Sequence, residues 1–287
     1  MFFTNPNNRR ASCYALGTAM MGAMGLVSSA TAADPTVAEQ ASEQAFDQEQ
    51  FDQRFNQEKP ERNWSLIVGG GGMYEPKYEG GGDFEISPVP FVLFTYGEWF
   101  ELDPSGITVT PLRHEGFSLS GKVGYETGRN EDDSDRLRGL GDIDFAATVG
   151  AKAAYEWGPV ELYAEVEQTI EGSESLIGTF GIGYSTPVTE RLILGANAEA
   201  IVANDKHMEA YFGVDATQSA ASGLPEYKPK AGLKRVDVSA SATYLLTENW
   251  LVRGEAGLGV LTGDAADSPI VEEKLQPSVS LFVGYKF

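Results

Sequence analysis

From Trp64 to Phe287 the chain alternates apolar and polar residues with a period of two. In 116–128, Phe117, Leu119, Val123 and Tyr125 oppose Ser118, Ser120, Lys122 and Glu126. In 141–157, Ile143, Phe145, Ala147, Val149, Ala151, Ala153 and Tyr155 oppose Asp142, Asp144, Thr148, Lys152 and Glu156. In 159–171, Val160, Leu162, Ala164, Val166 and Ile170 oppose Glu161, Glu165 and Glu167. In 232–247, Val236, Val238, Ala240, Ala242, Tyr244 and Leu246 oppose Asp237, Ser239, Ser241 and Thr243. Such alternation predicts strands dry on one face and wet on the other. The final run, 278–287, puts Val279, Leu281, Val283, Tyr285 and Phe287 on one face, with Phe282 as the one apolar residue opposite. Chain ends usually fray, yet this one stops on an aromatic residue in its most hydrophobic register. The closing strand of a bacterial outer-membrane barrel explains that ending. Val283, Tyr285 and Phe287 are then the signal read by the barrel assembly machinery.

Alternation alone does not decide which face is outside. A soluble barrel hides its apolar face inside, whereas a membrane barrel turns it to lipid and lines a wet lumen with charge. Length and aromatics favour the membrane. Runs of about 10–14 residues exceed the usual strand of about 5–6 and suit a tilted transmembrane strand. Trp64, Tyr96, Trp99, Tyr155, Trp157, Trp250, Tyr285 and Phe287 sit at strand ends, where interfacial girdles belong.

Thirteen strand-like runs stand out: 64–74, 86–96, 97–103, 106–112, 116–128, 141–157, 159–171, 175–186, 190–204, 208–214, 232–247, 249–262 and 275–287. A bacterial single-chain barrel has an even number of strands, short periplasmic turns and longer outer loops. With both ends in the periplasm, Gly97, 113–115, Gly158, 187–189 and Glu248 become the short turns. The excursions 75–85, 129–140 and 263–274 fall on the other side. This parity works only when 208–214 belongs to one long outer excursion, 205–231. The expectation is an all-β, up-and-down antiparallel transmembrane barrel of about 12 strands, with 10 and 14 as alternatives. The runs 97–103 and 106–112 are short for crossing a bilayer.

Residues 1–32 read as a signal peptide: Arg9 and Arg10, then an apolar and small stretch from Cys13 to Ser29, then Ala30-Thr31-Ala32 before cleavage at Ala33. Cys13, the one cysteine, lies inside that segment, so the exported chain has no disulfide. Residues 33–63 are rich in Glu, Gln, Asp and Asn and read as a flexible or partly helical periplasmic segment. Two of the 21 basic residues leave with the signal, so 19 Lys+Arg face 42 Asp+Glu. That balance excludes nucleic acid as a partner.

The outer excursions carry recurrent groups. They are Tyr74-Glu75-Pro76-Lys77-Tyr78-Glu79-Gly80; Gly128-Arg129 with the acidic run 131–133 and Leu137-Arg138-Gly139-Leu140; Ala210-Tyr211-Phe212-Gly213-Val214 with Gly223-Leu224 and Tyr227; and Gly263-Asp264 with Ser268-Pro269-Ile270-Val271. In this order, and with the aromatic terminus, they resemble the MipA/OmpV family of outer-membrane proteins over residues 64–287. The resemblance implies an outer-membrane barrel in a Gram-negative envelope, in contact with lipid and lipopolysaccharide. It also implies a scaffold for a murein lytic transglycosylase and a murein synthase, with no catalytic residues. The motifs lie on the side away from murein, so a structural role at the barrel mouth is expected of them. Tyr74, Tyr78, Tyr211 and Phe212 are expected in an inward-folded plug, and Gly80, Gly139, Gly213 and Gly263 in tight loop backbone.

Other chemistry is sparse. His114 and His207 have no second His or Cys near them in sequence, which argues against a transition-metal site. Ser118 follows His114 without a nucleophile turn around it. The acidic run 131–135 lacks the Gly and closing Glu of a calcium loop and reads as a solvated loop. No cofactor is expected. The run Gly69–Gly72 is expected to admit a close inner side chain. The expected lumen charges are Lys122, Lys152, Glu161, Glu165, Glu167, Glu199, Arg253 and Glu255. Paired, they fill the barrel; unpaired, they make a narrow channel for small or cationic solutes.

Overall fold

The computed structural model describes residues 62–170 and 172–287. The signal peptide and nearly all of the segment 33–63 lie outside the described residues. Twelve strands are described: β1 (Trp64–Pro76), β2 (Phe84–Tyr96), β3 (Phe100–Asp103), β4 (Gly106–His114), β5 (Phe117–Glu126), β6 (Ala146–Trp157), β7 (Val160–Ile170), β8 (Leu176–Pro187), β9 (Leu192–Ala203), β10 (Gly232–Leu245), β11 (Trp250–Leu261) and β12 (Leu275–Lys286). Each pairs antiparallel with its neighbours in sequence, and β12 returns to β1, so the sheet is a closed barrel. The terminal strand joins by register, Ile67 opposite Lys286 through Tyr74 opposite Val279.

The side-chain parity answers the question that alternation left open. The aliphatic and aromatic rows face outward: Val149, Leu162, Val166, Phe180, Val238, Val279 and Leu281 are all exposed. The carboxylates and amines of the same strands face the interior, where they form ion pairs between nearby strands of the wall. Only hydrocarbon makes such an exterior stable, and closure leaves none of the twelve strands as a free edge strand. The barrel is therefore a transmembrane one. Aromatic rings crowd its periplasmic rim, with Trp250, Tyr285 and Phe287 in successive edge contacts at 5.1 and 4.8 Å. The outer rim carries two stacked pairs, Tyr74–Phe84 at 5.2 Å and Tyr125–Phe145 at 5.5 Å.

Two expectations change. Tyr74 is no plug residue and no loop residue: it lies in β1 on the outward register and stacks on Phe84. The run 141–157 starts as a strand only at Ala146. Residues 141–145 belong to the outer loop because Gly139 and Gly141, both at positive φ, turn the chain before it can join the ladder. There Ile143 bridges to Arg129 alone.

The lumen is two-sided in character. On the β12–β1–β2 wall, Phe91 and Phe282 meet edge to face at 5.7 Å, with Leu93 buried beside them. Gly69 and Gly71 make room for these rings: a Cβ on Gly69 would come within 2.5 Å of Phe91, and one on Gly71 within 2.5 Å of Phe282. The predicted lumen charges lie on β5, β6, β7, β9 and β11.

Candidate functional site

The outer mouth is filled by the four long excursions, which meet above the lumen. The segment 204–231 supplies two helices, α1 (Asp205–Phe212) and α2 (Ala216–Ser222). Asn204 starts α1 by accepting from the His207 backbone N–H at 2.9 Å, and Asp205 sits favourably in its first turn. Asp215 and Gln218 form a reciprocal capping box on α2, which Gly223 ends at φ 78°. A short third helix, α3 (Gly263–Ala266), follows β11.

These elements bury two apolar clusters. Ala203, Met208, Phe212, Leu261, Ala265 and Ala266 form one; Tyr78, Leu137, Leu140, Val214 and Ile270 form the other. The family-motif residues stitch them together. Arg129 donates to the Tyr211 carbonyl at 2.9 Å, and Ser268 to the Phe212 carbonyl at 2.6 Å. Arg136 donates to the Pro269 carbonyl. Asp264 accepts from the Lys230 N–H at 2.9 Å, and Gly80 donates to the buried Gln276 side chain at 3.1 Å. Gly128, Gly80, Gly139 and Gly263 have positive φ. Gly213 does not; it is needed because a Cβ there would lie 2.4 Å from the Glu209 carbonyl oxygen. The acidic run is spent on backbone: Glu131 accepts from Gly139 and Gly141 N–H, and Asp133 from Asn130 N–H.

Beneath the clusters lies a buried polar chain that the sequence pattern did not reveal. Lys234 donates to Glu79 at 3.0 Å and to His207 Nε2 at 3.0 Å. His207 Nδ1 lies 2.9 Å from Ser175 Oγ, Ser175 lies 2.6 Å from Ser173, and Ser173 donates to Glu126 at 2.8 Å. Arg235 reaches Glu79 at 3.5 Å and Asp237 at 2.6 Å. The Tyr211 ring stacks on His207 at 4.6 Å, and its hydroxyl bonds Glu126.

The charges fix the protons. An ammonium only donates, so Nε2 of His207 accepts and Nδ1 carries the hydrogen. Burial and the Lys234 charge push the imidazole down to about 3, so it is neutral. Burial raises the Glu79 carboxyl, but Lys234 and Arg235 outweigh it and hold it at about 2. Nδ1–H therefore donates to Ser175, and the chain of hydroxyl hydrogens runs outward to the Glu126 carboxylate. His207 has no free lone pair to take a proton from Ser175. The two residues are 2% and 1% exposed, closed to substrate. The group is a latch between strands and loops, not a nucleophile with its base.

Lys234 reaches it through a bulge. The pairing of β10 with β9 slips between Leu233 and Arg235. The extra residue turns Lys234 inward, where strict alternation would have aimed it at lipid.

In the lumen proper, the predicted charges are held by polar partners within and between strands. Lys122 bridges Glu165 and Glu167 at 3.3 and 3.5 Å, and Lys152 bridges Glu161 at 2.6 Å. Arg253 bonds Glu255 at 2.7 Å, and Glu199 accepts from Tyr163 at 2.6 Å. His114, by contrast, lies exposed at the end of β4 beside Glu115. Among the described residues, no group of three or more His, Cys, Asp or Glu side chains is placed to hold a metal ion.

The family described as "MltA-interacting protein MipA" matches residues 68–287. The MltA-interacting protein of Escherichia coli (strain K12) is 32% identical over 84 residues, 29% of this chain and 34% of that protein. The protein of the same name from Shigella flexneri matches equally. The chain thus spans about a third of the length of the curated relatives it matches. Among solved structures, the chain is similar to the translocator domain of autotransporter NalP from Neisseria meningitidis (TM-score 0.42, 12% identity, 88% of this chain and 98% of that one). It is also similar to the NanC porin (TM-score 0.43, 7% identity, 77% and 100%).

Proposed function

The chain belongs to the MltA-interacting protein MipA family, and from that premise we propose that this outer-membrane barrel is a non-enzymatic interaction protein. Its proposed partners are a murein lytic transglycosylase and a murein synthase, held at the periplasmic face. The reading rests on how the interior is used. Loops stitched by buried hydrogen bonds fill the outer mouth, and the lumen amines bond the lumen carboxylates. A barrel filled in this way spends its charges on itself rather than on a solute. With the mouth engaged in packing, the periplasmic turns and the segment 33–63 remain for partners. Affinity capture on the detergent-solubilised full chain tests this. Both murein enzymes should be enriched over an unrelated barrel of similar size, and equal recovery from both baits would overturn it.

A second reading, a narrow cation channel, has one observation in its favour. The Lys152–Glu161 pair keeps 34% and 22% of its side-chain surface, so water reaches it inside the lumen. Planar-bilayer recording separates the two readings. Steady cation-selective steps would favour the channel, and silence across the voltage range the interaction protein.

A further inference from the structure

The barrel wall is incomplete at one place. β2 pairs with β1 along its whole length, Trp64 opposite Tyr96 through Pro76 opposite Phe84. On its other side it pairs with β3 only at Phe94, Thr95 and Tyr96. The β3–β4 hairpin turns back at Pro104-Ser105, so residues 84–93 rise above its tip with β1 as their one described strand partner. β5 stands on the far side of this notch.

Each border has been relieved of some of its polar groups. Odd residues of the β2 stretch direct their backbone groups to β1, as the Gly97 N–H to Asn63 carbonyl and Lys77 N–H to Asp83 carbonyl bonds show at its two ends. The even residues, Phe84, Ile86, Pro88, Pro90 and Val92, direct theirs into the notch. Two of these five positions are proline, which has no N–H to leave bare, so only Phe84, Ile86 and Val92 bring an N–H to the notch. The carbonyls that remain are the more tolerable half of an unpaired edge. At the hairpin tip, the Asp103 carboxylate accepts from Ser105 N–H, Ser105 Oγ and Gly106 N–H at 2.6, 2.6 and 3.1 Å. The Tyr125 hydroxyl covers the Pro104 carbonyl at 2.6 Å.

The outward side chains that flank the notch are apolar or aromatic. Ile86 is 76% exposed and Phe145 67%. The stacked pairs Tyr74–Phe84 and Tyr125–Phe145 stand on either side of it. A peptide strand added to this edge would meet no donor at two consecutive ladder positions, which disfavours a partner strand or a second copy. A hydrocarbon chain needs no donor.

We propose that the notch between β2 and the β3–β4 hairpin seats an acyl chain of an outer-leaflet lipid, so that hydrocarbon takes the place of the missing upper part of the wall. This stands apart from any role in binding murein enzymes, because it concerns the outer half of the wall and not the periplasmic face.

A nitroxide on Val89→Cys, in a Cys13→Ser background, reports the occupant. Val89 lies on the odd register of β2, which turns Phe91 and Leu93 inward, and above the hairpin tip. In vesicles of phosphatidylethanolamine and phosphatidylglycerol it should collide with oxygen as often as a label on outward-facing Val166. Collisions with a water-soluble nickel chelate should be lost to the Val166 level. A label at inward-facing Ser241 should show nickel collisions instead. Nickel contact at Val89, shielding from both reagents, or dipolar broadening between copies would each overturn the proposal. The double variant Pro88→Thr, Pro90→Thr gives a check free of labels. It restores two donors to the edge and should lower the temperature at which the barrel loses its compact gel mobility. A rise, or a ladder of stable dimers, would mean that a strand occupies the notch.

Discussion

The outer mouth and the mid-lumen use the same residue types to opposite ends. At the mouth, Lys234 and Glu79 are packed under two apolar clusters, with side-chain exposures of 8% and 18%. In the lumen, Lys152 and Glu161 make a shorter bond, 2.6 against 3.0 Å, yet stay wet. Distance therefore does not rank these pairs. What ranks them is what each charge meets once its partner is gone: protein at the mouth, water in the lumen.

The largest expected effect follows directly. Lys234→Ala leaves Glu79 buried beside Arg235 alone and removes the donor to His207 Nε2. The mouth should lose about 3–5 kcal/mol of local stability, read as fast protease cleavage within 204–231 while the barrel stays folded. A protection pattern like wild type would remove the distinction between the two regions.

Acid should act on the mouth in the same direction. The folded pKa of His207 is depressed to about 3 from an ordinary 6.5, and that of Glu79 to about 2 from 4.5. For both, the loosened state binds protons that the packed state refuses, so stability rises with pH. The contribution of His207 is whole above pH 6.5 and fades as pH falls toward 3. That of Glu79 is whole above 4.5 and fades toward 2. Protease sensitivity of the loops should climb through this window. In His207→Phe the portion between pH 6.5 and 4.5 should vanish.

A smaller loss is expected from Ser268→Ala. It strips the Phe212 carbonyl and the Ile270 N–H of a buried partner, worth about 1–3 kcal/mol. Hydrogen exchange at 268–270 should quicken. The smallest is Lys152→Ala, which leaves Glu161 to lumen water and should shift barrel unfolding in urea by under about 1 kcal/mol.

Much of the barrel was legible because a strand reports its environment at every second residue. Period two, the aromatic strand ends and the parity of turn lengths lead to twelve strands in the observed order, with 208–214 set outside the sheet. The reason that 208–214 is no strand was also in the chain. Met208, Tyr211 and Phe212 have helical spacing behind the cap Asn204, and all three pack in the plug. The latch was far less legible. Glu79, Glu126, Ser173, Ser175 and Lys234 come from separate loops and strand ends, and no spacing along the chain connects them. Tyr74 was misplaced because its motif reads as loop, while β1 runs on to Pro76.

The sequence by itself determined the repeating part of this protein: which residues share a strand face and how many times the chain crosses. Those properties depend on neighbours one or two residues away, and local alternation encodes them. The tertiary structure alone decided what the four excursions become and where the wall stops. A one-residue slip at Leu233/Arg235 swings Lys234 from lipid to the latch. A three-pair seam leaves residues 84–93 of β2 open on one side. Both are matters of register between strands, and register is set by partners distant in sequence.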